Sequence, residues 1–274
     1  MIRVLAVALI LSCSVTPAWA QAQPAPIAAP SAPKPAKKAA AKTKTSARQA
    51  APTESGPCQI GVIPAVGDQF AVQKIGLTVF NNDYADVPIE SWGLDDLVVA
   101  RVRAVTGSGA GVRRIAYSKQ AFAPYDRPAP ALFRNPESDL TTIVRQITAN
   151  AGCARYVAVT KLDSKLDGTN QTLRGIGVYH RGIGSLVGHT RLYSNIQVTV
   201  FDGQTYEVSK KPFNLNLGLA LARGFGVEDP LTKLENSAFP EPAAAAATSA
   251  TLRDGTRALL ATHLDKALSA TLGQ

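Results

Sequence analysis

Three histidines, a pair of cysteines in the body of the chain and two glycine-spaced arginines are the side chains that chemistry would have to use. His180 and His189 flank a glycine-rich stretch, and His263 lies far downstream. Two imidazoles supply two nitrogen ligands, whereas a metal site needs one or two more with converging geometry. The pair is therefore expected to be polar loop residues, and His263 to occupy a surface or boundary position on a helix. Asn81, Asn82, Asp83 and Asp86 offer the oxygen ligands a hard cation takes. Turns use the same residues for backbone reasons, and a turn is the expectation. There is no phosphate-binding G-x-x-x-x-G-K-[ST], no H-E-x-x-H and no G-x-S-x-G elbow. The reading is a non-enzymatic chain that uses no cofactor. A dispersed active site leaves no local motif, so the alternative is an exported hydrolase, metal-dependent or not, with its residues scattered along the sequence.

Arg174-Gly-Ile-Gly177 recurs as Arg181-Gly-Ile-Gly184. With Tyr179, His180 and His189, these arginines mark residues 168–188 as the candidate interaction loop, a glycine-permitted basic segment that grips an anionic or protein partner. The competing expectation is a long hairpin arm whose glycines allow twist and turns.

The first sixty residues set the compartment. Arg3, the apolar run 4–11, Pro17 and Ala18-Trp19-Ala20 have the order of a cleavable secretory signal, with Gln21 as the new N-terminus. The apolar run is too short to span a bilayer. Ile10-Leu11-Ser12-Cys13 resembles a lipobox, and lipidation at Cys13 is the rival outcome. Residues 21–56 are rich in Pro and Ala and carry Lys34, Lys37, Lys38, Lys42, Lys44 and Arg48. Such a segment buries too little apolar surface to offset its ordering entropy and reads as a disordered tether. The chain has 29 Lys and Arg against 20 Asp and Glu, a net charge of +9. Seven of those bases and one acid fall in residues 1–55, so most of the excess lies ahead of a nearly balanced domain. In an exported protein a basic tail points away from nucleic acid and toward anionic membrane or wall polymers or an acidic envelope partner. The expected location is the periplasm, with no transmembrane span in the mature chain and an oligomeric state the residues leave open.

Export places Cys58 and Cys153 in an oxidising compartment. Each directly precedes an apolar, strand-like run, 60–66 and 156–160. If those strands are neighbours their starts meet, and a Cys58–Cys153 disulfide closes a long loop worth about 3–4 kcal/mol.

Residues 57–274 are expected to form a single α/β (α+β) domain, one mixed sheet layered with about three helices. Strands are expected at 60–66, 75–80, 112–117, 156–162, from 175 onward, and at 192–201, where alternation is clean; Asp202-Gly203 then turns the chain into 205–209. Leu94, Leu97, Val98, Val102 and Val105 recur at helical spacing, with Ser91 as N-cap and Gly107 as the stop. Leu140, Ile143, Val144 and Ile147 mark a second helix. Leu252, Thr256, Leu259, Leu260, Leu264 and Leu268 mark a third, opened by a Thr251-x-x-Asp254 capping box and closed by Gly273. Trp92 is expected in the core.

The strand–helix order and the phrase Ser194-Asn195-Ile196-Gln197-Val198-Thr199-Val200-Phe201-Asp202-Gly203 resemble the α/β domains of envelope proteins: the TolB amino-terminal domain, the curli secretion channel protein and the lipoprotein activators of penicillin-binding proteins. The resemblance covers residues 58–210 and 251–272. Asn81-Asn82 and Ser91-Trp92-Gly93-Leu94-Asp95-Asp96 also resemble an uncharacterised family of exported alphaproteobacterial proteins. The resemblances imply an envelope interaction module and transfer no functional residue.

Overall fold

Six consecutive buried residues, Ile60–Ala65 (β1), make a strand covered on both faces, the pattern of a central parallel strand. The computed structural model describes residues 57–76, 82–107, 111–126, 136–166, 169–183, 187–209, 213–214 and 230–272. The expected signal segment with Cys13, the expected tether over 21–56, Asn81 and Gly273 lie outside them. In chain order the further elements are β2 (Gln69–Ile75), β3 (Asp83–Pro88), α1 (Leu94–Thr106), β4 (Val112–Arg114), α2 (Ala123–Asp126), α3 (Pro136–Thr148), β5 (Arg155–Lys161), β6 (Asp163–Lys165), β7 (Thr172–Arg174), β8 (Ile176–Ile183), β9 (Val187–Ser194), β10 (Ile196–Asp202), β11 (Phe213–Asn214), β12 (Lys233–Leu234) and α4 (Ala250–Leu272).

The class is mixed α/β, as expected, but the strands divide between two five-stranded sheets rather than one. The first has the order β11-β10-β5-β1-β4, and the second β12-β9-β8-β2-β3. In the first, β1 runs parallel to both β4 and β5, and β5 is antiparallel to β10. In the second, β2 pairs parallel with β8 and antiparallel with β3, and β8–β9 is an antiparallel hairpin. The short β6–β7 ladder stands apart.

The alternation over 192–201 hides a change of sheet. Ser194 ends β9 in the second sheet and Ile196 begins β10 in the first, with Asn195 between them. Asn195 anchors this step. Its amide donates to Gly175 O, its carbonyl accepts the Leu162 amide, and its buried side-chain nitrogen donates to Leu173 O at 3.0 Å. A second crossing runs from β1 to β2 through Gly67-Asp68, and the Asp68 carboxylate pairs with Lys161 at the end of β5. The Lys161 stem lies over Gly175, whose φ of 61° is open to glycine.

Three cores follow from these faces. The largest joins Val62, Phe70, Val72, Val178, Leu192 and Val198 from both sheets to Val98 and Val102 of α1 and Leu259, Leu260 and Leu264 of α4. On the other face of the first sheet, Ile63, Tyr156, Ala158 and Phe201 pack against Leu140 and Val144 of α3. On the other face of the second sheet, Ala71, Ile75 and Tyr193 meet Leu166 and Leu173. Trp92 is buried beside Phe70, its indole N–H donating to Ala247 O at 3.0 Å.

Cys58 and Cys153 form the expected disulfide. Parallel pairing of Ile60 with Arg155 brings the two strand starts together and leaves 4.5 Å between the cysteine Cα atoms.

Several boundaries move. The second strand occupies 69–75; of the expected 75–80, Ile75 ends this strand, Gly76 is outside it, and 77–80 lie outside the described residues. Phe70 and Val72 carry its core face, while Gln73 and Lys74 interrupt the apolar pattern. The strand expected over 112–117 stops at Arg114. Residues 205–209 make one isolated bridge, Phe201 to Val208, instead of a strand. Gly93, with φ 63°, precedes α1 in place of Ser91. Ser249 caps α4 in place of Thr251: its hydroxyl accepts the Leu252 amide, and Asp254 binds Arg253. No helix among the described residues is long and apolar enough to cross a membrane.

Candidate functional site

Pairing within the β8–β9 hairpin decides what the expected interaction loop looks like. Tyr179, His180 and Arg181 are strand residues of β8, and His189 belongs to β9. Strand alternation separates them by face. His180 is directly opposite Thr190, its Nδ1 2.9 Å from the Thr190 hydroxyl, and its ring lies 5.4 Å from Phe239. The Thr190 hydroxyl donates to Asn236 Oδ1, and Asn236 Nδ2 donates to Gly188 O. This network ties residues 236–239 onto the hairpin from the face that carries Leu192.

Tyr179, Arg181 and His189 lie on the opposite face. The Tyr179 ring meets the His189 imidazole edge-on at 5.8 Å and the Tyr193 ring at 6.3 Å. Arg181 is exposed and directly opposite His189. His180 and His189 therefore do not converge, and among the described residues no group of three His, Cys, Asp or Glu side chains is placed to hold a metal ion. Arg174 is also apart from the set. It sits on β7, where its guanidinium donates to Asp163 at 3.1 Å, a contact that raises its already high pKa.

The same register adds two cations that periodicity did not single out. One row runs across five strands as Tyr84, Gln73, Tyr179, Arg191 and Lys233. The next places Ile75, Arg181 and His189 side by side. Arg181, Arg191 and Lys233 thus share a face with Tyr179 and His189, at the β8-β9-β12 end of the sheet. Arg191 and Lys233 carry no motif; only the cross-strand register assembles them.

The β3 end of this face is acidic. The Tyr84 hydroxyl donates to Asp86 at 2.6 Å, and Asp163 and Arg174 lie close enough to perturb it electrostatically. Burial, followed by the Asp86 bond, pushes the Tyr84 phenol up. Burial likewise pushes the Tyr193 phenol well up, with Tyr84 and Asp86 adding to it. Of the proposed cation ligands, Asn82 accepts the Gly76 amide and Asp83 accepts the Tyr84 amide, so both serve the backbone.

A third polar group lies where the parallel strands end. Asp95, in the first turn of α1, accepts the Gly67 amide at 2.8 Å and pairs with Arg114, which also pairs with Asp96. Tyr117 donates to Pro64 O at 2.6 Å. These contacts lock the turn after β1.

His263 is buried, with Nδ1 2.9 Å from Ser194 O. The surface or boundary expectation fails because α4 packs along β9 and β10, so its stripe extends to position 263. No family model matches the chain, and neither a curated protein nor a solved structure matches it.

Proposed function

We propose that this chain is a non-enzymatic module of the bacterial periplasm that docks on an anionic wall or membrane polymer through the outer face of β8 and β9. The observation that carries the proposal is the shared placement of Arg181, Arg191 and Lys233 with Tyr179 and His189 on one sheet face. Rigid, paired strands present these groups at fixed spacing, which lowers the entropy lost on binding. Aromatic rings beside cations suit a polymer that carries both anionic groups and apolar or sugar surfaces. The disulfide fits an oxidising compartment. The basic segment 21–56 adds a second, non-specific hold on the same kind of surface, and the resemblance to envelope α/β domains points the same way.

Co-sedimentation of the secreted chain with phosphatidylglycerol vesicles and with isolated cell-wall sacculi tests this. Each basic side chain near an anionic surface contributes about 1 kcal/mol. Arg181→Glu combined with Arg191→Glu should therefore weaken retention by more than about tenfold, and added salt should weaken the parent chain's retention. Deleting residues 21–55 should reduce binding without abolishing it. Retention of the double variant equal to that of the parent would sink the proposal.

A further inference from the structure

Strand β3 is the last strand of the second sheet and pairs, among the described residues, with β2 alone. Among the described residues, one side of its backbone has no partner strand and so is a template for another strand. Six residues span about 20 Å, enough for an extended peptide. Tyr84, at 47% exposure, is a large side chain left open on this strand, and its hydroxyl is fixed by Asp86.

The charge around it is acidic on balance. Asp83 and Asp86 come from β3 and Asp163 from β6; of the two nearby cations, Arg174 is bound to Asp163 and Lys74 to Glu241. Edge strands are commonly guarded by charge and proline, and Pro88 does close one end. A guard of aspartates turns away acidic strands and admits basic ones.

A second feature points to an occupant. Asp86, Ala71, Gly177 and Tyr193 form one row across four strands. Its middle is floored by two of the smallest residues, and a Cβ at Gly177 would collide with the Tyr193 hydroxyl and the Ala71 carbonyl. The Tyr193 ring therefore lies over Gly177 and directs its hydroxyl toward the Asp86 end. That hydroxyl belongs to a residue 4% exposed and has no hydrogen-bond partner among the described residues; Gln73 Oε1, one row on, is in the same condition.

We infer that β3 is a docking strand for an extended, basic peptide of a partner protein. The peptide adds to the sheet through backbone pairing. Its Lys or Arg side chains, recurring at every second position, face Asp86 and pack along Tyr84. This edge is opposite in charge to the β8-β9-β12 end of the same sheet face.

Amide NMR shifts of the secreted, disulfide-bonded chain provide the test. The probe is a blocked peptide of about ten residues alternating Lys and Thr, with a Glu–Thr peptide beside it. The Lys–Thr peptide should shift the amides of residues 83–88, and the Glu–Thr peptide should not. Asp86→Lys should weaken binding by at least about tenfold, and Asp86→Asn, which keeps an oxygen for Tyr84, should weaken it less. Arg181→Glu should leave peptide binding unchanged while reducing polymer retention, which separates this site from the hairpin face. Equal binding of both peptides, shifts centred outside β3, or Asp86→Lys binding like the parent would each overturn the inference.

Discussion

Asp95 joins the first turn of α1 to the chain as it leaves the first sheet, through the Gly67 amide. Burial pushes its carboxyl up, against the lowering effects of the Gly67 and Val66 amides and of Arg114; Asp68 adds a smaller upward push. The folded chain then holds this proton more tightly than the unfolded chain. Between the ordinary value of 3.8 and the raised one, the folded state binds more protons, so this group's contribution to stability falls as pH rises through that window. Asp95→Asn keeps an oxygen for Gly67 and does not titrate. Its urea midpoint should therefore rise relative to the parent's as pH increases above the ordinary carboxyl value of 3.8. Identical pH slopes for the two proteins would show that Asp95 is not the responsible group.

At the scale of elements, the junction between β9 and β10 carries the most structural consequence for the least sequence signal. Asn195 holds Leu173 O through its side chain and Gly175 and Leu162 through its backbone. It fastens the β6–β7 ladder to the point where the chain changes sheets. Asn195→Ala leaves Leu173 O without that donor in a buried setting, at a cost of about 1–3 kcal/mol. Chemical denaturation should show the loss, and amide exchange should rise first in residues 163–174; uniform exchange across both sheets would mean that Asn195 does not fasten this ladder in particular. The helices were easier to read. Leu94, Val98 and Val102 repeat at helical spacing and all face the core, because a helix writes its buried side into local sequence.

For the molecule as a whole, the disulfide links the amino ends of the two central strands of the first sheet across 95 residues. Cys58→Ser with Cys153→Ser should cost about 3 kcal/mol, a fall in Tm of roughly 10 °C for a domain of this size. Thermal unfolding of the parent with reductant should reproduce the fall; a Tm indifferent to both changes would show the bridge to be energetically idle. This pairing was legible because two cysteines each sat just before a buried run. The two-sheet architecture was not, since Ser194-Asn195 is the only interruption in residues 192–201 and nothing local marks it as a change of sheet.

The sequence by itself determined the mixed α/β class, the core stripes of α1, α3 and α4, and the cysteine pair, together with the expectation of export from residues 1–20. Each depends on neighbours in the chain or on a single pairing. Tertiary structure decided which sheet each strand joins, that His180 and His189 face opposite ways, and that Arg191 and Lys233 stand beside Tyr179. Alternation tells which residues share a face, but it does not name the neighbouring strand. That is fixed by hydrogen bonds and packing between segments far apart in sequence, and the sites proposed here exist only once that register is set.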